Sequence, residues 1–301
     1  MKTVDLFAGC GGLSLGFQNA GFEIVGAFEY WDVAAECYAG NFEHAVFRDD
    51  LADTAAVLDK IRALQPDIIV GGPPCQDFSH AGKRREDKRA ALTHVFADIV
   101  AAVRPRWFVM ENVDRALKSE TYLSARKSFA NAGYGLTEEI LGASFYGVPQ
   151  RRKRFFCIGS MDAEDGFLAE YFALNKSGKE TTLRDYFGTS LGIEHYYRHP
   201  RNYSRRAVYS IDEPSPTVRG VNRPVPSGYP GHPNDARALD GSVRPLTSLE
   251  RAQIQTFPPS FKWVGSKTDM EQMIGNAVPV KLAEVVAKAI KRHAERQPHS
   301  L

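Results

Sequence analysis

Four cysteines are all the sulfhydryls this 301-residue chain has, at positions 10, 37, 75 and 157, and no two form a Cys-x-x-Cys pair. The spacing that zinc sites and dithiol redox centres need is therefore missing, and no metal is expected. Thiols so widely separated suit a reducing compartment. Charge of one sign is also scarce. The formal net charge is only +2, so no global basic excess argues for a nucleic-acid partner. No apolar run approaches the ~20 residues of a membrane-spanning helix. Met1-Lys2-Thr3-Val4 leads into an apolar segment without a signal-peptide pattern, so a cytoplasmic protein is expected. A Gly-x-Gly-x-x-Gly fingerprint and a phosphate-loop lysine are both lacking, which weighs against dinucleotides and nucleoside triphosphates. There are no internal repeats.

What is present is an apolar content of 43%, enough for one large domain or two unequal ones. Apolar stretches at 2–7, 22–28, 68–70, 107–110, 135–141 and 155–158 read as strands. Helical spacing follows from residue 13 and at 31–38, 53–64, 91–103 and 119–132, while 72–90 reads as a long loop. This alternation predicts an α/β fold with a doubly wound, mostly parallel sheet. Residues 161–245 are rich in Gly, Pro, Tyr and Arg and show little periodicity, and helical pattern returns at 248–256 and 280–293. The expected organisation is a main domain of 1–160 and 246–301, with a smaller, loop-rich domain at 161–245.

Pro73-Pro74-Cys75-Gln76 follows the apolar run 67–72. A strand exit is where α/β sheets place ligands, and prolines restrict the approach direction of the sulfur. Cys75 is either a nucleophile or a half-buried structural thiol. Glu111-Asn112-Val113 also follows a buried strand, which puts it along the same sheet edge. A thiolate beside a carboxylic acid suits addition to an electron-poor ring, with the acid on a ring nitrogen; helix capping is the plainer role for Glu111. The glycine turn in Asp5-Leu-Phe-Ala-Gly-Cys-Gly-Gly12 brings backbone close to a ligand. Glu29, ending a strand, is placed for ribose hydroxyls, and Asp50-Leu51 for an adenine amino group; N-caps or turn residues are the alternatives. Together they describe a pocket for an adenosine ligand without phosphates. Gln150-Arg-Arg-Lys-Arg154 precedes another strand, with Arg152 and Arg154 on one face. Six arginines stand against two acids in 195–223, and five basic residues against two acids in 80–91; either stretch reads as solvated surface or as phosphate contacts.

In this order the pieces resemble the DNA cytosine-C5 methyltransferases. The matching stretches are DLFAGCGG at 5–12, GGPPCQDFS at 71–79, MENV at 110–113, QRRKR at 150–154, RPLTSLERAQIQTFP at 244–258 and GNAVP at 275–279. The resemblance implies a Rossmann-like methyltransferase fold, with 161–245 as a compact target-recognition domain. It implies that Cys75 adds to C6 of a cytosine turned out of duplex DNA, while Glu111 contacts N3 and the exocyclic amine. C5 then takes the methyl of S-adenosylmethionine, leaving S-adenosylhomocysteine. Arg154, with Arg152, is expected at O2 and the nearby backbone, and Asn112 as a brace of the cysteine loop. Phe7, Gly9, Gly12, Glu29, Tyr30, Asp50, Leu51, Pro74, Leu92 and Asn276 are expected to line the cofactor pocket. Where some members carry Trp directly after the ribose-binding acid, Tyr30 precedes Trp31 here, which leaves open the ring that packs on adenine.

Because the reacting carbons are stacked inside duplex DNA, the base must be extruded. Residues 76–91 are read as a basic loop that closes over it, with Ser79, His80 and Arg84 approaching the DNA. Arg205, Arg206, Arg219 and Arg223 are the expected base readers, phosphate contact being the alternative for each. A monomer in the prokaryotic cytoplasm, associated with the nucleoid, is expected, with a cognate restriction endonuclease as a separately acting partner. A tRNA cytosine methyltransferase and a catalytically inactive DNA-binding protein are the competing readings. Clustered arginines weigh against the first, and the intact Cys75, Glu111 and Arg154 against the second.

Overall fold

A computed structural model describes residues 1–74, 83–161, 163–202 and 204–296, with only the backbone described for 83–91. Two compact units divide the chain. The first comprises Met1–Leu141, Lys153–Asn175 and Ala283–Leu301, the second Gly142–Arg152 and Lys176–Leu282.

The first unit is built on a seven-stranded sheet. In chain order its strands are β1 (Lys2–Leu6), β2 (Glu23–Phe28), β3 (Val46–Phe47), β4 (Ile68–Gly71), β5 (Trp107–Val113) and β6 (Gly135–Gly142). After β7 (Gln150–Arg151), which belongs to the second unit, comes β8 (Lys153–Ser160). The spatial order is β3-β2-β1-β4-β5-β8-β6. β1 to β5 pair in parallel, and β8 runs antiparallel to β5. The expected doubly wound, mostly parallel sheet is thus present. Strand order reverses between β1 and β4, the switch point where such sheets open a ligand crevice at their carboxyl ends.

Parallel strands buried on both faces must be apolar throughout, and every residue of β4 is buried. One face of the sheet packs Val4, Ile69, Phe108 and Met110 on Phe96, Val100 and Phe129. These come from α4 (Lys83–Val103) and α5 (Glu120–Asn131), which follow α1 (Gly12–Asn19), α2 (Asp32–Ala39) and α3 (Thr54–Ala63). Burying each such ring contributes about 1.5–3 kcal/mol. On the opposite face Trp107 packs edge-on to His293 and Phe167. Helix α4 begins at Lys83, so 83–90 is helical rather than loop. Lys83-Arg-Arg-Glu-Asp-Lys-Arg-Ala contains only residues that tolerate a helix and neither Gly nor Pro.

The first unit also includes α6 (Ala169–Asn175), and the second holds α7 (Leu183–Phe187), α8 (Ser248–Ile254) and α9 (Lys267–Asn276); α10 (Val280–Arg296) is the last described element. In the second unit β9 (His195–Tyr197) pairs with β10 (Val208–Ser210) and β12 (Arg244–Pro245), and β11 (Ser215–Pro216) pairs with β7. Capping boxes at Thr182/Asp185, Thr247/Glu250 and Ser266/Asp269 start its helices. The units divide differently from the expected domains. Residues 161–175 belong to the first, where Asp165 accepts from Leu136 N–H and Thr137 Oγ1 from Leu168 N–H. Residues 246–282 belong to the second, where Gln255 accepts from Gln150 Nε2 at 2.7 Å and donates to Ile274 O at 2.6 Å.

Candidate active site

Leaving β4, the chain runs through Gly72, Pro73 and Pro74 toward Cys75. Cys75, Ser79 and His80 lie outside the described residues, as does the side chain of Arg84. The frame that precedes Cys75 is well defined. Asn112 Nδ2 donates to Pro73 O at 3.3 Å, and Asn112 Oδ1 accepts from Val113 N–H at 2.8 Å. Glu111, beside it on β5, lies with Oε1 2.8 Å from Arg154 Nε, the two side chains only 10% and 15% exposed. Register explains the meeting. Arg154 stands opposite Val113 in the antiparallel ladder, and Glu111, two residues along, shares its face, so the pair are diagonal neighbours. Separating so shielded a pair would strand a charge in a low dielectric, which keeps both groups where they are. A Cβ on Gly72 would sit 3.0 Å from Glu111 Oε2, so a side chain at residue 72 would crowd the carboxylate that lies against the β4 exit. Glu111, Asn112, Arg154 and the Pro73 backbone are therefore brought together at the carboxyl ends of β4 and β5.

The other side of the crevice is the end of β1. Phe7, Gly9 and Gly11 all have positive φ, 57°, 55° and 96°, which turns the chain sharply into α1. Glu29 at the end of β2 locks this turn: Oε2 accepts from Gly9 N–H and Oε1 from Trp31 N–H, each at 2.7 Å. Burial raises the pKa of Glu29, and the backbone N–H groups of Trp31, Gly9 and Tyr30 oppose that rise. Three N–H groups leave the carboxylate one of its roughly four acceptor sites. A Cβ on Gly9 would meet nothing within 4 Å, so open space borders the turn. Gly12 and Leu51 are buried, Phe7 and Leu92 half-buried, and Tyr30, Asp50 and Pro74 exposed. Asp50 Oδ1 accepts from Ala52 N–H at 3.0 Å. Asn276 belongs to the second unit, is exposed, and accepts from Gln272 Nε2. A glycine turn, an anchored carboxylate with a spare acceptor site and adjoining open space fit the ribose of an adenosine group.

The other cysteines are poor nucleophiles. Cys10, Cys37 and Cys157 are buried. Burial pushes the Cys10 thiol well up and that of Cys157 to about 12, which starves both of thiolate.

Arg152 departs from its expected place on a substrate. It is 1% exposed, and its guanidinium donates to Val218 O at 3.1 Å, Gly275 O at 3.0 Å and Ala277 O at 3.1 Å. The carbonyls at the C-terminus of α9 need donors, and a buried guanidinium supplies several at once. Arg206 is likewise engaged, paired with Glu213 and lying over the Tyr209 ring. Arg219 donates to His199 O, while Arg205 and Arg223 are exposed. Sequence reasoning missed Gln150 and Gln255, which close this network around α9, and Gly72. Their signals are faint: a glutamine before an arginine run, one inside a helical pattern, and the first half of Gly-Pro-Pro.

Comparison with known proteins identifies the family. The family model for C-5 cytosine-specific DNA methylase matches residues 1–292. The chain is 56% identical over 292 residues to the Type II methyltransferase M.HindV of Haemophilus influenzae, covering 96% of each. It is 51% identical over 294 residues to M.HgiDI of Herpetosiphon aurantiacus, covering 97% of this chain and 95% of that one. Among solved structures, the S. pombe Dnmt2 methyltransferase shares the fold with a TM-score of 0.71 at 19% identity, covering 98% of both chains. This chain belongs to the C-5 cytosine-specific DNA methylases, and it is a DNA cytosine-5 methyltransferase.

Proposed function

We propose that the chain methylates C5 of one cytosine within a specific duplex DNA sequence, turning the base out of the helix and adding Cys75 to its C6. The observation that carries this is the cluster at the carboxyl ends of β4 and β5. Asn112 fastens the backbone two residues before Cys75, and Glu111 is held beside it by Arg154. Glu111 grips N3 and the exocyclic amine. A proton passed from Glu111 to N3 makes C6 electrophilic, the Cys75 sulfur forms its bond there, and the enamine that results makes C5 nucleophilic. Glu29 and the Gly9 turn would hold S-adenosylmethionine, which would provide the electrophilic methyl group for C5 and be left as S-adenosylhomocysteine. Loss of the C5 proton expels the thiolate and restores the aromatic ring. Arg154 orients Glu111 and faces O2; Arg152 acts at a distance, by shaping the backbone it holds.

Ser79 and His80 are proposed to approach the space the base vacates, and Arg84 to contact the DNA. The second unit, around 176–245, reads the target. The relatives are named Type II methyltransferases, which supports a modification enzyme whose cognate endonuclease acts separately. A monomer working on the chromosome of a prokaryotic cytoplasm fits that role. No helix among the described residues is long and apolar enough to cross a membrane.

Bisulfite sequencing of plasmid from cells expressing the chain should reveal one methylated sequence, with tRNA unmodified. Cys75→Ser should abolish transfer, by more than about 10³-fold, yet leave DNA binding intact. Duplex carrying 5-fluorocytosine at the target should trap the wild type covalently, because fluorine cannot leave as a proton does. Turnover by Cys75→Ser, or no trapped adduct, refutes covalent addition.

A further inference from the structure

The second unit treats its arginines unequally. Arg151, Arg184, Arg206, Arg237 and Arg244 each hold a carboxylate. Among the described residues no carboxylate lies within ion-pair distance of Arg198, Arg219 or Arg223, and these three, with His199, line one concave mouth. Only Arg251, at its back, is compensated, by Glu271. Two of the three are held there by backbone carbonyls. Arg198, just past the end of β9, donates one amino group to Thr217 O at 2.8 Å. Arg219, just past β11, donates one to His199 O, and Arg251 in turn donates to the carbonyl of Arg219. Burial, then repulsion by Arg198, Arg201 and Arg223, lowers the pKa of Arg219 to about 10. Burial lowers that of Arg198, and burial with Arg223 and Arg219 lowers that of His199.

Like charges gathered where water is partly excluded repel one another, and only an anion relieves that cost. A base edge in the major groove offers neutral acceptors and leaves the repulsion in place. Arg198 and Arg219 have also spent part of their donor fork on carbonyls, which suits single bonds to a tetrahedral anion better than a bidentate grip on guanine. We propose that Arg198, Arg219 and Arg223 form a clamp for one backbone phosphate of the bound duplex, fixing register rather than reading sequence. This rests on the DNA substrate proposed above and reassigns Arg219 and Arg223 from base reading to positioning.

The test uses the full chain, the duplex whose site bisulfite sequencing identifies, and a duplex of the same length lacking that site. Arg223 is exposed, so Arg223→Gln should fold and melt as the wild type does. It should weaken binding to both duplexes by the same factor, roughly tenfold at low salt. The slope of log affinity against log salt should fall by about one, since each phosphate contact contributes ~0.9. Arg223→Lys should restore the slope. Neutral methylphosphonates placed singly along the duplex should weaken the wild type at one backbone position and weaken Arg223→Gln less at that same position, where Arg198 and Arg219 remain. Discrimination between the duplexes that collapses at unchanged slope would make Arg223 a base reader. Unchanged slope and affinity would make it a solvated cation. Either result overturns the clamp while wild-type methylation of the plasmid stands. A wild type that methylates no duplex overturns the proposed substrate as well.

Discussion

Asp5 opens the glycine turn yet touches no solvent. Its Oδ2 accepts from Ser14 Oγ at 2.6 Å, Tyr38 OH donates to Ser14 Oγ at 2.6 Å, and His44 Nε2 lies 2.8 Å from Tyr38 OH. One buried carboxyl thus anchors a string of hydroxyls through α1 and α2. Among the described residues its Oδ1 has no hydrogen-bond partner, and burial raises its pKa to about 7 from 3.8. The folded chain therefore keeps a proton here that the unfolded chain has already released. Linkage sets the sign: the stability tied to this group is complete below pH about 4 and is lost as pH rises toward about 7. Asp5→Asn removes the titration and can still accept from Ser14. Urea midpoints at pH 5 and pH 8 should fall for the wild type relative to Asp5→Asn. Parallel behaviour of the two would show that Asp5 is ionised in the native state.

Among elements, α9 shows how a loop-rich unit organises itself. Ser266 and Asp269 cap its start reciprocally, and Arg152 with Gln255 supplies donors to the carbonyls from Ile274 to Ala277 at its end. Removing a guanidinium from such a place leaves buried carbonyls unsatisfied, at about 1–3 kcal/mol each. Arg152→Met, close in volume, should lower stability by about 2–4 kcal/mol and shift the urea midpoint. A group acting on substrate would give the opposite pattern, full stability with lost turnover. The central strands of the first unit were legible because Ile68–Val70 in β4 and Trp107–Met110 in β5 are unbroken apolar runs. Strands of two or three residues, such as β3 and β9 to β12, carry no period, and distant backbone alone defines them. Helix α9 had a readable signal in Ser266-Lys-Thr-Asp269 that its polar interior obscured. The stretch 83–90 looked like loop because it is charged, but charge does not stop a helix. Glu111 and Asn112 were placed correctly at a sheet edge. That they remain within β5 could not be read, since the antiparallel pairing with β8 extends the ladder to Val113.

For the whole molecule, a local cradle and the global stability are joined by linkage. A ligand that binds only the folded chain stabilises it by about 2.7 kcal/mol at a concentration 100 times its Kd. S-adenosylhomocysteine, in the pocket proposed around Glu29, should therefore raise the melting temperature of the wild type by several degrees. Glu29→Gln is the informative comparison. Both Glu29 oxygens accept backbone N–H bonds, from Gly9 and Trp31. An amide has one oxygen, so its NH2 must face one of those donors, and the turn between β1 and α1 loses a tie. The variant should be less stable without ligand by about 1–3 kcal/mol, and more than half of the ligand-induced rise should vanish. A variant that keeps the full rise would locate the cofactor away from the ends of β1 and β2. The stabilisation must then come from elsewhere in the fold, because a net charge of +2 spread over 301 residues gives a small zwitterionic ligand no general attraction to the protein.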